Sequence, residues 1–184
     1  MQKLLKKKYV KIGILGGTFD PPHKGHLYIS KIVLNKLKLN KLLWVVTKEN
    51  PLKQKPYLNI KKRIALSKNI TKKENKIFVK YFEDKIKSNR TVDLIKYIKK
   101  NNKNTDIYFI MGADSLINFH KWKSSKLISS ICNILVFDRN GYKAKSLKSI
   151  GFKKYNKKGL EFIKFKKVNI SSSQLRKIWY CKIN

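Results

Sequence analysis

Two histidines three residues apart, His23 and His26, close the run Gly16-Gly17-Thr18-Phe19-Asp20-Pro21-Pro22-His23-Lys24-Gly25-His26. These residue types suit a polyphosphate. Glycines at 16 and 17 let the backbone approach phosphate oxygens closely and present its N–H groups to them. A helix that begins just afterwards adds N–H groups with no acceptor inside the helix and a partial positive charge. Two imidazoles on either side of Gly25 can face the same anion and donate N–H groups to charge that develops in a transition state. The spacing is neither GxxxxGK[ST] nor GxGxxG, which excludes the P-loop and the dinucleotide fingerprint. A Gly-Gly pair alone is usually a tight turn, and a lone His is usually a surface or core residue. The whole combination, placed directly after an apolar run, is what points to a site.

The elements that must position this run are legible around it. Tyr9 to Leu15 reads as a buried strand ended by the two glycines. From Gly25 to Lys38 the apolar residues Leu27, Ile29, Ile32, Val33, Leu34 and Leu37 recur with a helical period. Leu42–Val46, Ile77–Tyr81, Ile107–Met111 and Ile134–Phe137 read as further strands. Helices are expected from Ile60, over Thr91–Lys100, and from Ser171 to Trp179. Lys48 to Tyr57 holds two prolines and reads as a loop; Asn140 to Lys158 reads as a surface loop with a short helix. Alternating strands and helices predict an α/β fold: a Rossmann-like, doubly wound, mainly parallel sheet with helices on both faces, in a single domain over residues 1–184. In such folds ligands lie at the carboxyl end of the strands, where the Gly-Gly pair falls.

Composition bounds the rest. The 184 residues are 42% hydrophobic, too apolar and too regularly grouped for a disordered polycation. No apolar run approaches the roughly 18–20 residues of a membrane span. The start MQKLLKKKYVKIGILGG is basic and then apolar, but it runs into a Gly-rich turn without a cleavage site, so it reads as the first strand and not as a leader. Cys132 and Cys181 fit no metal, redox or disulfide spacing, which favours a reduced, cytoplasmic setting. Lys+Arg number 45 against Asp+Glu 10, a formal net charge of +35; only Arg63, Arg90, Arg139 and Arg176 are arginine. The lysines are spread along the chain, and Lys, Asn and Ile share A/T-rich codons. That favours genome composition over a specific nucleic-acid site, although nonspecific polyanion binding at low salt is expected.

The GGTFDPxHxGH stretch resembles the HxGH nucleotidyltransferase superfamily, and within it the bacterial nicotinate-nucleotide adenylyltransferases. Later landmarks agree in order and spacing: Asn50-Pro51-Leu52-Lys53 after the second strand, Thr91-Val92-Asp93 opening a helix, and Met111-Gly112-Ala113-Asp114 followed by Trp122. Arg139-Asn140-Gly141-Tyr142 is similar to that family's RPGY, and Ile170-Ser171-Ser172-Ser173-Gln174-Leu175-Arg176 to its ISSTxIR. The resemblance implies adenylyl transfer from ATP to nicotinate mononucleotide, with release of pyrophosphate and Mg²⁺ carried in on ATP. It implies that His23 and His26 contact the ATP phosphates and that Arg176 grips the β- and γ-phosphates. It places Gly16, Gly17, Thr18, Phe19, Gly25 and Gly112 at the ATP site, with Asp114 toward the ribose and Arg139 toward the adenine. Ser172 and Ser173 either bind phosphate or cap a helix, and Asp114 either serves the ribose or caps a helix.

On the acceptor side the resemblance implies Asn50, Lys53 and Thr91, with Trp122 stacked on the pyridine ring. A helix start at Thr91 suits the nicotinate carboxylate better than an amide, because a carboxylate accepts charge-assisted bonds there. The chain departs from the family in three places. Arg90 stands where an aromatic is usual, and either pairs with that carboxylate or faces solvent. Asn140 stands where Pro is usual. The chain also ends eight residues after Arg176, short of the family's usual further helix. Two rivals remain: a sister enzyme adenylylating phosphopantetheine, against which the Thr91 and Gly112–Trp122 landmarks argue, and a nucleic-acid binder on an inactive scaffold, against which His23, His26, Ser172 and Arg176 argue.

Overall fold

Period-two alternation along each strand sends side chains into two separate cores. The computed structural model describes residues 9–52, 54–138, 141–156, 159–163, 172 and 175. In β1 (Val10–Gly17), Ile12 and Ile14 face one core and Leu15 faces the other. In β4 (Thr105–Gly112), Ile107, Phe109 and Met111 oppose Ile110, and in β5 (Asn133–Phe137), Ile134 and Val136 oppose Leu135 and Phe137. A sheet apolar on both faces needs helices on both. One face is covered by α1 (Lys24–Lys36), through Ile29, Val33 and Leu34, and by α2 (Ile60–Thr71). The other is covered by α4 (Thr91–Lys100), whose Val92, Leu94, Ile95 and Ile98 are all buried, and by α5 (Ala113–Ile117) and α6 (Ser125–Ile131).

With β2 (Lys41–Val46), β3 (Ile77–Lys80) and β6 (Leu160–Ile163), the sheet has six strands in the order β3-β2-β1-β4-β5-β6. Every pairing among them is parallel. The order reverses between β1 and β4, so a crevice opens at their carboxyl ends, Gly17 and Gly112. The expected boundaries hold within a few residues, and Gly16-Gly17 belongs to the strand it was expected to end: Gly16 and Gly17 pair with Val45 and Val46.

Residues 141–156 depart from the surface loop with a short helix expected over Asn140 to Lys158. They carry two helices, α7 (Tyr142–Leu147) and α8 (Ile150–Tyr155), besides the short α3 (Glu83–Ile86) earlier in the chain. Tyr155 is 1% exposed; its hydroxyl lies 2.8 Å from that of Ser125, and its ring meets Phe119 edge-on. The pattern is weak because the closest packing is made by a glycine. A Cβ on Gly151 would stand 2.0 Å from the Leu116 carbonyl oxygen, so α8 lies backbone against backbone on α5. β6 adds an edge strand not expected from the sequence: Glu161 interrupts its four-residue run, and only Ile163 is buried. Among the described residues no helix is long and apolar enough to cross a membrane. The helix expected over 171–179 lies outside the described residues except at Ser172 and Leu175.

Candidate active site

The start of α1 is capped by imidazoles. His23 is the N-cap, with extended backbone, and its Nδ1 accepts the Gly25 N–H at 3.1 Å; His26 Nδ1 accepts the His23 N–H at 3.2 Å. An ordinary capping box uses Ser or Thr with Glu or Gln. Here imidazole rings do the same work, and the first turn of the helix itself holds no acidic residue to compete with phosphate for its N–H groups. The cap also fixes the tautomer. Because each Nδ1 accepts, the ring proton of each imidazole belongs on Nε2, which makes Nε2–H a donor. His26 lines the crevice, whereas His23 is 7% exposed and packs against His26 with ring centroids 3.9 Å apart and the planes tilted by 38°. Gly25, expected at the nucleotide, is buried and gives its N–H to His23.

Behind His26 stands an aromatic and polar support. Phe19 takes a left-handed φ of 48°, uncommon for a bulky side chain, and its ring stacks on the fully buried Trp44 at 4.9 Å. The same ring meets His26 at 4.9 Å. Trp44 Nε1–H donates to Ser30 Oγ at 2.7 Å, and the Ser30 hydroxyl donates to the His26 carbonyl at 2.8 Å. Phe19 therefore combines two roles: it lines the crevice and belongs to the core that holds His26.

The crevice measures about 720 Å³, within the range of small-molecule sites. One wall is Gly16, Gly17, Thr18 and Phe19 with His26; beyond the switch point lie Gly112 and Asp114. Ser172 reaches it from the C-terminal part of the chain, and its hydroxyl donates to the Pro21 carbonyl at 2.9 Å, tying that part to the first loop. The far wall is Asn50, Arg90, Thr91 and Trp122. Arg90 is the N-cap residue of α4, and its N–H is taken by Ser88 Oγ at 3.1 Å, a hydroxyl that in turn donates to Asp93. Among the described residues the Thr91 and Val92 N–H groups have no acceptor. The Trp122 indole is held edge-on by Phe109 at 6.0 Å and Phe119 at 5.5 Å.

A cytidylyltransferase-like family model matches residues 14–178. A Pelagibacter ubique (strain HTCC1062) protein named a probable nicotinate-nucleotide adenylyltransferase is 59% identical over 174 residues, covering 95% of this chain and 96% of that one. The chain belongs to the cytidylyltransferase-like family, among its nicotinate-nucleotide adenylyltransferases. A Mesorhizobium japonicum protein of the same name is 37% identical over 151 residues, 82% of this chain and 77% of that one. A Plasmodium falciparum nicotinic acid mononucleotide adenylyltransferase, solved with NaAD, shares the fold at TM-score 0.73 and 23% identity, covering 92% of this chain and 83% of its own.

The nucleotidyltransferase crevice thus gathers residues from the ends of β1 and β4, the loop after β2 and the start of α4. Lys53, Arg139, Ser173 and Arg176 lie outside the described residues. Asp114 occupies the second position of α5, whose N-cap is Gly112, so it is not the N-cap residue. A Cβ on Gly112 would stand 2.3 Å from Asp114 Oδ1. The cheapest relief is to move that carboxylate. Gly112→Ala is therefore expected to raise the Michaelis constant for ATP several-fold while thermal unfolding shifts little; an unchanged constant would remove Asp114 from the nucleotide site.

Two residues were not assigned a role from sequence. Asp20 is 3% exposed and accepts the Tyr57 N–H at 2.7 Å and the Leu58 N–H at 2.9 Å. Arg63, on α2, is 2% exposed and donates to four carbonyls. Burial lowers its pKa, opposed by the nearby Asp20 and Glu83 carboxylates, and guanidinium remains charged regardless. The available signal was compositional: a chain this rich in lysine keeps arginine at four positions, and Arg63 was the one left without a role. At the crevice rim, Lys48 pairs with Asp84 at 3.1 Å while its N–H donates to Glu83, whose carboxyl is pushed up by burial. These contacts fasten the loop after β2 to α3.

Proposed function

We propose that the chain transfers AMP from ATP to nicotinate mononucleotide, giving nicotinate adenine dinucleotide and pyrophosphate in NAD biosynthesis. The observation that carries the reading is the shared crevice, with the imidazole-capped helix and Gly16–Thr18 on one side and the α4 start with Trp122 on the other. A phosphate-bearing acceptor on the second side lies within reach of a triphosphate on the first.

The mononucleotide phosphate attacks the α-phosphorus of ATP and the bond to the bridging oxygen of pyrophosphate breaks. The nucleophile is already an anion, so the step needs no general base and no covalent enzyme intermediate. Catalysis is positioning and charge stabilisation. His26 Nε2–H donates to the phosphates where charge builds up, and His23 holds the His26 ring through the cap and the tilted ring contact. Gly16, Gly17 and Thr18 hold the nucleotide through backbone groups and a hydroxyl. Asp114 accepts from its ribose, and Ser172, Ser173 and Arg176 take the outer phosphates, with Arg139 toward the adenine. Mg²⁺ enters as part of the MgATP substrate and neutralises phosphate charge.

On the acceptor side, Trp122 stacks on the pyridine and the Thr91 and Val92 N–H groups receive its carboxylate, with Asn50 and Lys53 along the mononucleotide. Arg90, at the N-cap, adds a charged partner to the same carboxylate. Arg90→Ala is expected to raise the Michaelis constant for nicotinate mononucleotide about tenfold, the worth of one charge-assisted hydrogen bond, and that for ATP less than twofold. Equal small effects on both substrates would return Arg90 to solvent.

The reading places the reaction in the cytoplasm. The charge of +35 adds a weak, salt-sensitive attraction to polyanions without a specific nucleic-acid site. One assay tests the function: ATP and Mg²⁺ with nicotinate mononucleotide, nicotinamide mononucleotide or phosphopantetheine, following pyrophosphate. The acid mononucleotide is expected to turn over fastest. A preference for phosphopantetheine, or no pyrophosphate from any acceptor, would overturn the reading.

A further inference from the structure

The β1–β2 ladder ends at the crevice mouth, where the Thr47 N–H donates to the Gly17 carbonyl at 3.0 Å. Beyond that point the two strands' continuations separate, one into Thr18 and Phe19, the other into Lys48, Glu49 and Asn50. Both lead into walls of the crevice. Two strands separating at a sheet end leave carbonyls that need donors once buried. Here one side chain supplies them. Arg63 Nη1 donates to the Thr18 carbonyl at 2.6 Å and to the Thr47 carbonyl at 2.6 Å, as the next rung of the ladder would. Nη2 donates to the Lys48 carbonyl at 2.8 Å, and Nε to the Leu58 carbonyl at 2.9 Å. Asp20, one residue past Phe19, accepts from Tyr57 and Leu58 and so joins the first loop to the lead-in of α2.

We propose that Arg63, together with Asp20, is a positioning unit for phosphoryl transfer: it fixes the separation of the nucleotide loop at Thr18 from the acceptor loop at Thr47–Asn50. The unit touches neither substrate. Its fork spans three segments at once, which a lysine, donating from a single point, cannot reproduce. In-line transfer depends on the distance and angle between two separately bound reactants, and a misplacement of about 1 Å costs on the order of 100-fold in rate. Each substrate still meets its own wall intact. Loss of the rung therefore falls on kcat and spares both Michaelis constants.

The inference rests on the proposed adenylyl transfer, and the parent enzyme separates the two. If the parent releases no pyrophosphate with nicotinate mononucleotide, the functional reading fails first. With an active parent, Arg63→Lys and Asp20→Asn are compared with it at a temperature where circular dichroism shows each folded. Asp20→Asn keeps one acceptor oxygen and the side-chain shape, so it serves as the milder variant if Arg63→Lys does not fold. The expected result is a kcat lowered on the order of 100-fold for Arg63→Lys and about tenfold for Asp20→Asn, with the Michaelis constants of both substrates within about threefold. A purely structural role would lower the melting temperature and leave kcat per folded molecule within threefold of the parent. That result overturns the proposal, as does a loss confined to one substrate's Michaelis constant.

Discussion

His26→Ala is expected to lower kcat by roughly 100- to 1000-fold, the usual cost of removing one preorganised donor from a developing anion. The ring does two things at once. Its Nδ1 accepts the His23 N–H, and this acceptance places the remaining proton on Nε2. Removing it costs the cap about 1 kcal/mol, or about 2–4 °C in melting temperature for a chain of this size. The catalytic loss is much larger than that change in stability can explain. Substrate affinity should change little, since in the proposed transfer the bond strengthens only as charge moves to the leaving pyrophosphate. Melting curves and steady-state constants measured on the same preparation separate the two effects. A fall in kcat of less than fivefold, or one that merely tracks unfolding, would take His26 out of the chemistry.

Gly151→Ala is expected to be the most destabilising small substitution. The added Cβ would stand 2.0 Å from the Leu116 carbonyl oxygen and 3.2 Å from its carbonyl carbon, and backbone cannot rotate out of the way. α8 must move off α5, which loosens the Tyr155–Phe119–Ser125 contacts beyond it. Overpacking of this kind costs about 3 kcal/mol, or about 6–12 °C in melting temperature. α5 also carries Asp114, proposed above as the ribose partner, so the Michaelis constant for ATP is expected to rise as well. A melting temperature within 2 °C of the parent would mean that the helices separate at no cost, and the close packing would then lose its importance.

Gly112 and Gly151 show why a clash distance alone decides little. Gly112 would meet the end of a side chain, which rotates away, so the cost is expected in binding; Gly151 would meet backbone, so it is expected in stability.

The sequence by itself determined the alternation of strands and helices, the position of the Gly16–His26 run at the end of β1, and the helix that Thr91 opens. Each follows from local geometry: a period of two or 3.6 residues, a cap, a glycine. It also carried the family, because the landmarks recur in order along the chain. The tertiary structure alone decided which nitrogen of each histidine is the donor, since that depends on which backbone N–H the other nitrogen meets. It alone turned residues 141–156 from a surface loop with one short helix into two packed helices, because Tyr155 finds its partners about 30 residues away. Arg63 is the clearest case: it joins carbonyls as far apart as Thr18 and Leu58, and no spacing rule links them. They meet because the strand order sets β1 beside β2, and where the ladder ends the buried Arg63 fork donates to the Thr18, Thr47 and Lys48 carbonyls.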